Sequence, residues 1–336
     1  QRECLSLAKR YKITIIAPEG RTEDIKNVSF ILVKVKKSKL LRPFLGFKFF
    51  KEAIRKDYDA YHFHDMDFLF WAWLIRILKK KPVIYDVHEI YEMVIENRRW
   101  ITIFLKPLVV FLFNIYEGVF GSRHFHRVVA APYQLNRYPG ATLLMNFPPK
   151  ENFLRPIFPK DYKKITYIGS ITKGRVLGRV FEIADILPER YVINLFGENH
   201  DSQESQNKKI NFFGFVDNNE LQTRVADTGI GIIPFMENDQ FKKSVPSKIF
   251  DYMGLGLNII APSFIKGSFG NLAISNNISF VRGDAKSFVK EIIRISSSPE
   301  EAKNKSTKNY NDFLKNYCWE KEEPKLLGLY EKIIGK

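Results

Sequence analysis

Short apolar runs alternate with longer segments of helical periodicity along the whole chain. This alternation is typical of parallel β-sheets whose strands are joined by crossover helices. In the first half it predicts strands at Ile13–Ala17, Val28–Val33, Ala60–Phe63, Pro82–Tyr85, Val128–Ala131 and Thr142–Met145. In the second half it predicts strands at Lys164–Ile168, Tyr191–Phe196, Ile210–Phe213, Gly229–Ile233, Leu257–Ala261 and Ile278–Val281.

The length of 336 residues fits two domains of ordinary size better than one. The segment Asn146–Pro159 holds four prolines and has no periodicity, which indicates an inter-domain linker. We therefore predict domains at 1–150 and 151–318, with a terminal helix at 319–336 that packs back on the first domain. A helix is predicted at Gln1–Arg10, before any strand. Because doubly wound domains normally open with a strand, we expect the natural first strand to be missing.

The net charge of +16 is unevenly distributed. Residues 1–150 hold 26 Lys and Arg against 14 Asp and Glu, whereas residues 151–336 hold 27 against 23. This excess favours an anionic partner for the first half, and a solvated basic surface explains it about equally well. No signature of a nucleic-acid-binding fold accompanies the charge, so nucleic acid is not expected. Two cysteines and the lack of a signal peptide indicate a cytoplasmic protein.

Two segments could contact a membrane. Trp100–Tyr116 is apolar but is interrupted by a Lys, a Pro and an Asn, so it predicts a buried or interfacial helix rather than a spanning one. In Lys34–Lys51, cations interleave with Leu and Phe. This composition makes residues 34–56 a candidate for contact with an anionic membrane surface, although the same apolar side chains could lie in the core. The expected location is therefore the cytoplasm, with peripheral attachment to the inner face of the membrane as an option.

The segment Pro246–Gly256 lies between two predicted strands and carries the most informative chemistry. Pro246 suits the first turn of a helix, and Gly256 suits its end. Ser247 and Lys248 would stand at the helix start, where unpaired N–H groups and a cation favour phosphate. Asp251 follows one turn later, where its carboxylate could accept hydrogen bonds from sugar hydroxyls. The segment predicts a site for a nucleotide diphosphate.

Other polar residues follow predicted strands. Gly169 begins a loop of small residues that would let a ligand approach the backbone, and Arg175 could bind a diphosphate through two nitrogens. His88 follows the strand at Pro82–Tyr85, which makes it a candidate site residue. Its neighbours Asp86 and Glu89 could orient its ring or bind acceptor hydroxyls.

His62, His64, Asp65 and Asp67 could form a metal cluster. A metal is the less favoured interpretation, because no further ligand occurs at suitable spacing. No Asp-x-Asp pair follows a strand in the second half, so we expect no obligatory metal ion and no cofactor for the diphosphate site.

The segment Pro246–Gly256 resembles the donor-site signature of family 4 of the retaining glycosyltransferases, of bacterial type, in which a Glu occupies the position of Asp251. Three further segments are similar to elements of that family in the same order: Tyr167–Arg175, Tyr85–Glu89 and Tyr317–Glu320. The resemblance implies an α/β fold of the GT-B type, with two Rossmann-like domains and a cleft between them.

The resemblance also implies roles for residues. The second domain would bind a nucleotide-sugar, with Gly169, Arg175, Ser247 and Lys248 at the diphosphate and Asp251 at the ribose. The segments around Gly197 and Val216 would frame the nucleobase. His88 would contact the transferred sugar, and the first domain would bind the acceptor.

The chain departs from the family pattern where donor sugars are bound. Lys243 stands where many members carry a Glu, so the identity of the sugar is open. Glu237 is a candidate for the missing carboxylate.

The expected function is that of a retaining glycosyltransferase of the hexosyltransferase class, in polysaccharide biosynthesis. Its acceptor would be a lipid-linked or anionic glycan. Two alternatives stay open: a nucleotide-sugar 2-epimerase of the same fold, and a catalytically silent module that binds sugar-nucleotides.

Overall fold

The structure is a computed structural model. It describes residues 2–20, 22–35, 42–88, 91–92, 95, 101–121, 124–153, 156, 158, 160–200, 207–243, 245–270 and 272–335. The chain divides into two compact units. The first comprises Gln1–Ala130, Gln134–Met145 and Glu322–Lys336, and the second comprises Ala131–Tyr133 and Asn146–Lys321.

Within its described residues, the first unit has six strands in two parallel sheets. β1 (Ile13–Pro18) pairs with β2 (Val28–Val33). The other sheet has the order β3 (Tyr61–Phe63), β4 (Val83–Val87), β5 (His126–Val129) and β6 (Thr142–Leu143). All five residues of β4 are buried, as expected of a strand that is covered on both faces.

Among the described residues up to Gly121, four helices of the first unit flank these strands. They are α1 (Arg2–Ala8), α2 (Arg42–Ile54), α3 (Leu69–Lys79) and α4 (Lys106–Phe120). Leu69 and Ala72 of α3 are buried three residues apart and pack on Tyr85 and Val87 of β4. This spacing places one face of an amphipathic helix on the sheet.

In the part of the second unit that the structure describes, six strands form one parallel sheet. Its strands are β7 (Asp161–Ile168), β8 (Val192–Phe196), β9 (Ile210–Phe212), β10 (Thr228–Ile232), β11 (Asn258–Pro262) and β12 (Ile278–Val281). The spatial order is β12-β11-β10-β7-β8-β9. This is the doubly wound Rossmann order, in which the direction of winding reverses between the first and fourth strands. The reversal lies between β7 and β10, which are hydrogen-bonded neighbours.

The helices of the second unit follow from local sequence. They are α5 (Gly178–Ile186), α6 (Asn218–Arg224), α7 (Asp239–Lys242), α8 (Lys248–Gly254), α9 (Ala285–Ser297) and α10 (Pro299–Asn316). α9 begins where the side chain of Asp284 accepts a hydrogen bond from the backbone N–H of Ser287. Its buried residues Ala285, Phe288 and Ile292 recur every three or four positions, so one face of α9 is covered.

All twelve predicted strands are present. β2 and β12 have the predicted bounds, and the ends of the others differ from the prediction by at most three residues. The largest difference is at β7, which begins at Asp161 rather than Lys164. Here Tyr162 is buried while its neighbours Asp161 and Lys163 are exposed. Alternation of this kind extends a strand beyond its apolar run, so a search for continuous apolar residues underestimates its length.

The proline-rich segment 146–159 belongs to the second unit, as far as its residues are described. Phe147 is buried, and its ring lies 4.5 Å from that of Phe250 and 5.8 Å from that of Tyr317. The terminal helix α11 (Trp319–Ile334) contributes Glu322 onward to the first unit.

The two apolar segments of the first unit differ in exposure. In α2, Phe50 and Ala53 are buried against Ile75, and Phe47 is half exposed. Residues 36–41 of the predicted membrane-contact segment, and the side chains of residues 42–45, lie outside the described residues. In the described part of the chain, Ile103–Phe120 is the one helical segment long and apolar enough to cross a membrane, by length and composition alone.

Only a small part of Ile103–Phe120 is buried inside the unit. Phe113 and Glu117 face the unit, whereas a series of large apolar side chains on the opposite side is exposed. We call this series the outer face of α4, and it comprises Leu108, Phe111, Leu112, Ile115 and Val119.

Candidate active site

The carboxyl edge of the second sheet, between β7 and β10, is where a doubly wound fold binds its ligand. Gly169 directly follows β7, and Phe235 lies three residues after β10. Lys248, the first residue of α8, lies beside Gly169 at this edge. The structure therefore brings together two residues that the sequence assigned to the diphosphate site, Gly169 and Lys248.

Lys248 is held between two aromatic rings. Its Nζ lies 4.9 Å from the centre of the Tyr167 ring and 5.4 Å from that of Phe235. A cation over an aromatic face is attracted by the negative charge of that face. The two rings therefore fix the ammonium group at the reversal point instead of leaving it on a free side chain.

The backbone beside Lys248 leaves no room for side chains. Gly169 has φ of +132°, and a Cβ atom there would lie 2.9 Å from Nζ of Lys248. Gly197, after β8, has φ of +141°, and its Cβ would lie 2.1 Å from the carbonyl oxygen of Gly169. Both conformations favour glycine, and both glycines bring backbone close to the lysine.

Tyr252 joins the two strands at the reversal point. Its buried hydroxyl accepts a hydrogen bond from the N–H of Ile168 at 3.1 Å and donates one to the carbonyl of Ile232 at 3.2 Å. Gly231 makes room for this ring, because a Cβ there would lie 2.7 Å from it. Tyr252 thus fixes the spacing of β7 and β10 beneath the site.

Three other residues were predicted at the diphosphate and the ribose. The structure describes the side chains of two of them, Ser247 and Asp251. Ser247 is exposed next to Lys248, and Asp251 is half-buried one turn further along α8. Arg175 lies in a short π-helical turn, Lys173–Leu177, which follows the Gly169 loop. Its side chain lies outside the described residues.

The remaining predicted positions lie on exposed loops. Glu237 pairs with Lys242 at 3.1 Å, and Lys243 is exposed. Val216 is half-buried after β9, close in sequence to Phe215, which is 77% exposed.

Three aromatic residues of this candidate site were not predicted from the sequence: Tyr167, Phe235 and Tyr252. Tyr252 belongs to the donor-site signature, where a Tyr follows the acidic residue, so its presence could have been noticed. The roles of Tyr167 and Phe235 depend on distances to Lys248 that no sequence pattern reports.

The first unit carries a second group of polar residues at the carboxyl ends of β3 and β4. The two strands pair in parallel, with His62 opposite Ile84 and Phe63 opposite Tyr85. Continued by one residue, this register places His64 beside Asp86. Since alternate residues of a strand share a face, His62, His64, Asp86 and His88 lie on the same side of the sheet.

Asp86 is the centre of this group. It is 2% exposed, and its Oδ2 lies 2.9 Å from Nδ1 of His64 and 3.0 Å from Nε2 of His88. The His64 ring stacks between those of His62 and His88, with ring centres 4.9 Å and 5.2 Å away. Glu89, predicted to flank His88, lies outside the described residues.

The pKa values of the group follow from these contacts. Burial would raise the pKa of Asp86, but hydrogen bonds from His64 and His88 outweigh burial and hold that pKa below its usual range. The hydrogen bond to Asp86 raises the pKa of His88. Burial lowers the pKa of His62 to about 4. Asp86 is therefore an anion at neutral pH and His62 a neutral ring.

Two further residues of this group were not predicted from the sequence. Glu3 of α1 lies 4.0 Å from His62, between Oε2 and Nε2, and the hydroxyl of Tyr330 in α11 lies 2.8 Å from Nδ1 of His62. Both are distant from His62 in sequence, so spacing gave no signal for them.

Comparison with known proteins agrees with this architecture. The family model described as "Glycosyltransferase Family 4" matches residues 3–134. No curated protein sequence matches the chain closely enough to count as a relative. Among solved structures, sucrose-phosphate synthase (tll1590) from Thermosynechococcus elongatus is similar with a TM-score of 0.74 at 15% identity, covering 100% of this chain and 92% of that one.

Two other structures are similar over nearly their whole length. A glycosyltransferase from Rickettsia africae ESF-5 has a TM-score of 0.71 at 14% identity, covering 99% of this chain and 94% of that one. Anabaena HepE in complex with UDP has a TM-score of 0.70 at 10% identity, covering 98% and 95%.

The fold and the matching family model define the protein as a glycosyltransferase with the GT-B fold. The family-model match over residues 3–134 confirms, for that part of the chain, the predicted resemblance to glycosyltransferase family 4.

Proposed function

We propose that the protein transfers a sugar, with retention of anomeric configuration, from a nucleotide-sugar to a lipid-linked or anionic glycan acceptor. The observation that carries this proposal is the position of Lys248. Two aromatic rings hold its ammonium group at the reversal point of the sheet, beside the glycine backbone of residues 169 and 197. A fixed cation beside backbone that carries no side chains suits the diphosphate of a sugar donor.

The chemistry follows from the charge of the leaving group. When the bond between the sugar's anomeric carbon and the diphosphate breaks, negative charge grows on the diphosphate. Lys248, with Arg175, neutralises this charge without a metal ion. The acceptor oxygen bonds to the same face of the anomeric carbon, and a phosphate oxygen of the donor takes its proton. Asp251 accepts hydrogen bonds from the ribose.

The similar structures support a nucleotide-sugar donor. Anabaena HepE has been solved with UDP and with UDP-glucose, at 10% and 9% identity to this chain. We therefore take UDP and UDP-glucose as the first probes. GDP, ADP and their sugars complete the set, because Lys243 and the loop around Val216 leave both the sugar and the base open.

Replacing Lys248 by Ala should weaken UDP binding while the fold stays intact. Loss of one charge-assisted contact costs about 1.5–3 kcal/mol, or roughly 10- to 150-fold in Kd. Wild-type protein at about 100 times Kd of UDP should gain about 2.7 kcal/mol of stability, visible as a higher Tm. Calorimetry and thermal unfolding measure both effects.

Arg175→Ala should weaken UDP binding by a similar factor. Lys266→Ala is the matched control, because Nζ of Lys266 also lies over a ring, 5.8 Å from the centre of Phe280. It should leave UDP affinity unchanged. Unchanged affinity in both the Lys248 and the Arg175 variants would place the diphosphate elsewhere.

The products formed from the nucleotide-sugar distinguish a transferase from a 2-epimerase and from a catalytically silent module. A transferase should slowly hydrolyse its donor when no acceptor is present, an epimerase should release a free epimer, and a silent module should do neither. NMR of the transferred sugar's anomeric proton reports whether configuration is retained.

The outer face of α4 supports a membrane-held acceptor. Phe111 is 60% exposed on this face. The one acidic residue of α4, Glu117, is buried on the opposite side, where it pairs with Arg137 at 3.0 Å and Tyr138 at 2.7 Å. An apolar face without acidic groups, on a unit with a large basic excess, suits an anionic lipid surface. We assign the contact to this face rather than to residues 34–56, because α2 buries Phe50 and Ala53.

Wild-type protein should co-sediment with vesicles of anionic lipid at low salt and dissociate as salt rises. Phe111→Ser should reduce this binding several-fold. Phe215→Ser is the control, since Phe215 is equally an exposed Phe but belongs to the second unit. Equal binding by both variants would contradict the assignment. A wild-type dimer that Phe111→Ser dissociates would show that a second copy covers the face instead.

A further inference from the structure

Four potential metal ligands converge in the first unit from three separate elements. Glu3 comes from α1, His62 and His64 from the strand end at β3, and Asp86 from β4. One donor atom of each lies within 4.8 Å of the donor atoms of the other three. We call these four residues the His–carboxylate cluster. The structure thus supplies the additional ligands that sequence spacing around His62 and His64 lacked.

The donor atoms of the four residues are close enough to coordinate one ion after small side-chain movements. Nδ1 of His64 lies 2.9 Å from Oδ2 of Asp86. Nε2 of His62 lies 4.0 Å from the carboxylates of both Asp86 and Glu3. Ligand atoms about 2.0–2.1 Å from a tetrahedral zinc ion stand about 3.3 Å apart. Side-chain shifts of less than about 1 Å would therefore bring these donors into a coordination shell.

His62 provides an independent observation. Its Nε2 is buried and has no hydrogen-bond partner among the described residues. Buried polar atoms are nearly always paired, so an orphaned nitrogen calls for an explanation such as an ion. The other ring nitrogen, Nδ1, is held by the Tyr330 hydroxyl at 2.8 Å. Histidines that bind metals have this arrangement, in which a second group orients the ring and the far nitrogen faces the ion.

The donor set selects the kind of ion. Two imidazoles and two carboxylates suit zinc and other first-row divalent metals, whereas calcium and magnesium prefer oxygen ligands alone. The two carboxylates also balance the two positive charges of the ion. When the ion binds, Nδ1 of His64 would give up its hydrogen bond to Asp86 and coordinate the ion instead.

We propose that the His–carboxylate cluster binds one divalent transition-metal ion, which fastens α1 to the carboxyl ends of β3 and β4. β1 and β2 form a sheet separate from that of β3 and β4. An ion held by Glu3 on one side and by strand residues on the other would stabilise the unit. This role is structural and does not depend on the proposed transfer reaction or on its donor site.

The test uses the full chain, freed of metal with a chelator and then dialysed. Zinc chloride should raise its Tm, and cobalt chloride should produce the visible absorption band of a non-octahedral cobalt(II) site. His62→Gln and Glu3→Gln should each weaken both responses by more than about tenfold in apparent affinity. Tyr330→Phe keeps all four ligands but removes the group that orients His62, so it should weaken zinc binding by about tenfold.

His126→Gln is the matched control, because His126 is an exposed histidine of the same unit at the start of β5. It should bind zinc and cobalt as the wild type does. Absence of the cobalt band and of the zinc shift in wild-type protein would overturn the proposal. So would equal affinity in wild type and His62→Gln, or an equal loss in His126→Gln. Glu3 is a partly exposed helix residue, so Glu3→Gln should fold normally. It therefore tests the proposal even if His62→Gln fails to fold.

Discussion

Replacing His88 by Ala should reduce kcat about 100-fold or more while leaving the Kd for UDP within about twofold of wild type. His88 is half exposed, its hydrogen bond to Asp86 raises its pKa, and the family resemblance predicts that it contacts the transferred sugar. The residues proposed to bind the diphosphate, by contrast, belong to the second unit. Steady-state kinetics and calorimetry on the same preparation measure the two quantities.

Asp86 would keep its contact with His64 in this variant, so Tm should change little. His126→Ala is the control. His126 is an exposed histidine at the start of β5, so its replacement should leave kcat unchanged. Normal turnover in His88→Ala, or a large loss of UDP affinity at normal turnover, would remove His88 from the reaction.

Replacing Gly197 by Ala should destabilise the second unit by on the order of 3 kcal/mol or more and abolish the UDP-dependent rise in Tm. The new Cβ would lie 2.1 Å from the carbonyl oxygen of Gly169, and φ of +141° is unfavourable for any residue with a side chain. The Gly169 loop must then move, and Lys248 lies directly against it. Thermal unfolding with and without UDP reports both consequences.

Gly267→Ala provides the comparison. A Cβ at Gly267 meets no heavy atom within 4 Å, and its φ is not positive, so the cost should stay within about 0.5 kcal/mol. If Gly197→Ala proves equally mild, the close contact between the two glycine backbones has no role in the site.

The strands could be predicted because burial imposes a pattern on sequence. A strand covered on both faces must be apolar throughout, as Thr228–Ile232 and Asn258–Pro262 nearly are. Regular spacing of such runs then indicates a doubly wound fold. The errors fall at strand ends such as Asp161–Lys163, where alternation replaces the apolar run and no run marks the boundary.

Only part of the candidate donor site could be predicted from the sequence. Gly169 and Lys248, which lie side by side, could be named as candidates because strand ends and helix starts carry local signals. The contacts of Lys248 with the rings of Tyr167 and Phe235 were not predicted, because a buried aromatic residue gives the same sequence pattern whether or not a cation lies over its ring.

The sequence by itself determined the alternation of strands and helices, the glycosyltransferase resemblance and the residues at individual strand ends, since each of these depends on neighbours along the chain. Only the tertiary structure decided which strand ends meet. Parallel register places His64 beside Asp86, and packing of α1 and α11 brings Glu3 and Tyr330 to His62. Contacts between residues so distant in sequence depend on register and packing, which leave no mark in local spacing.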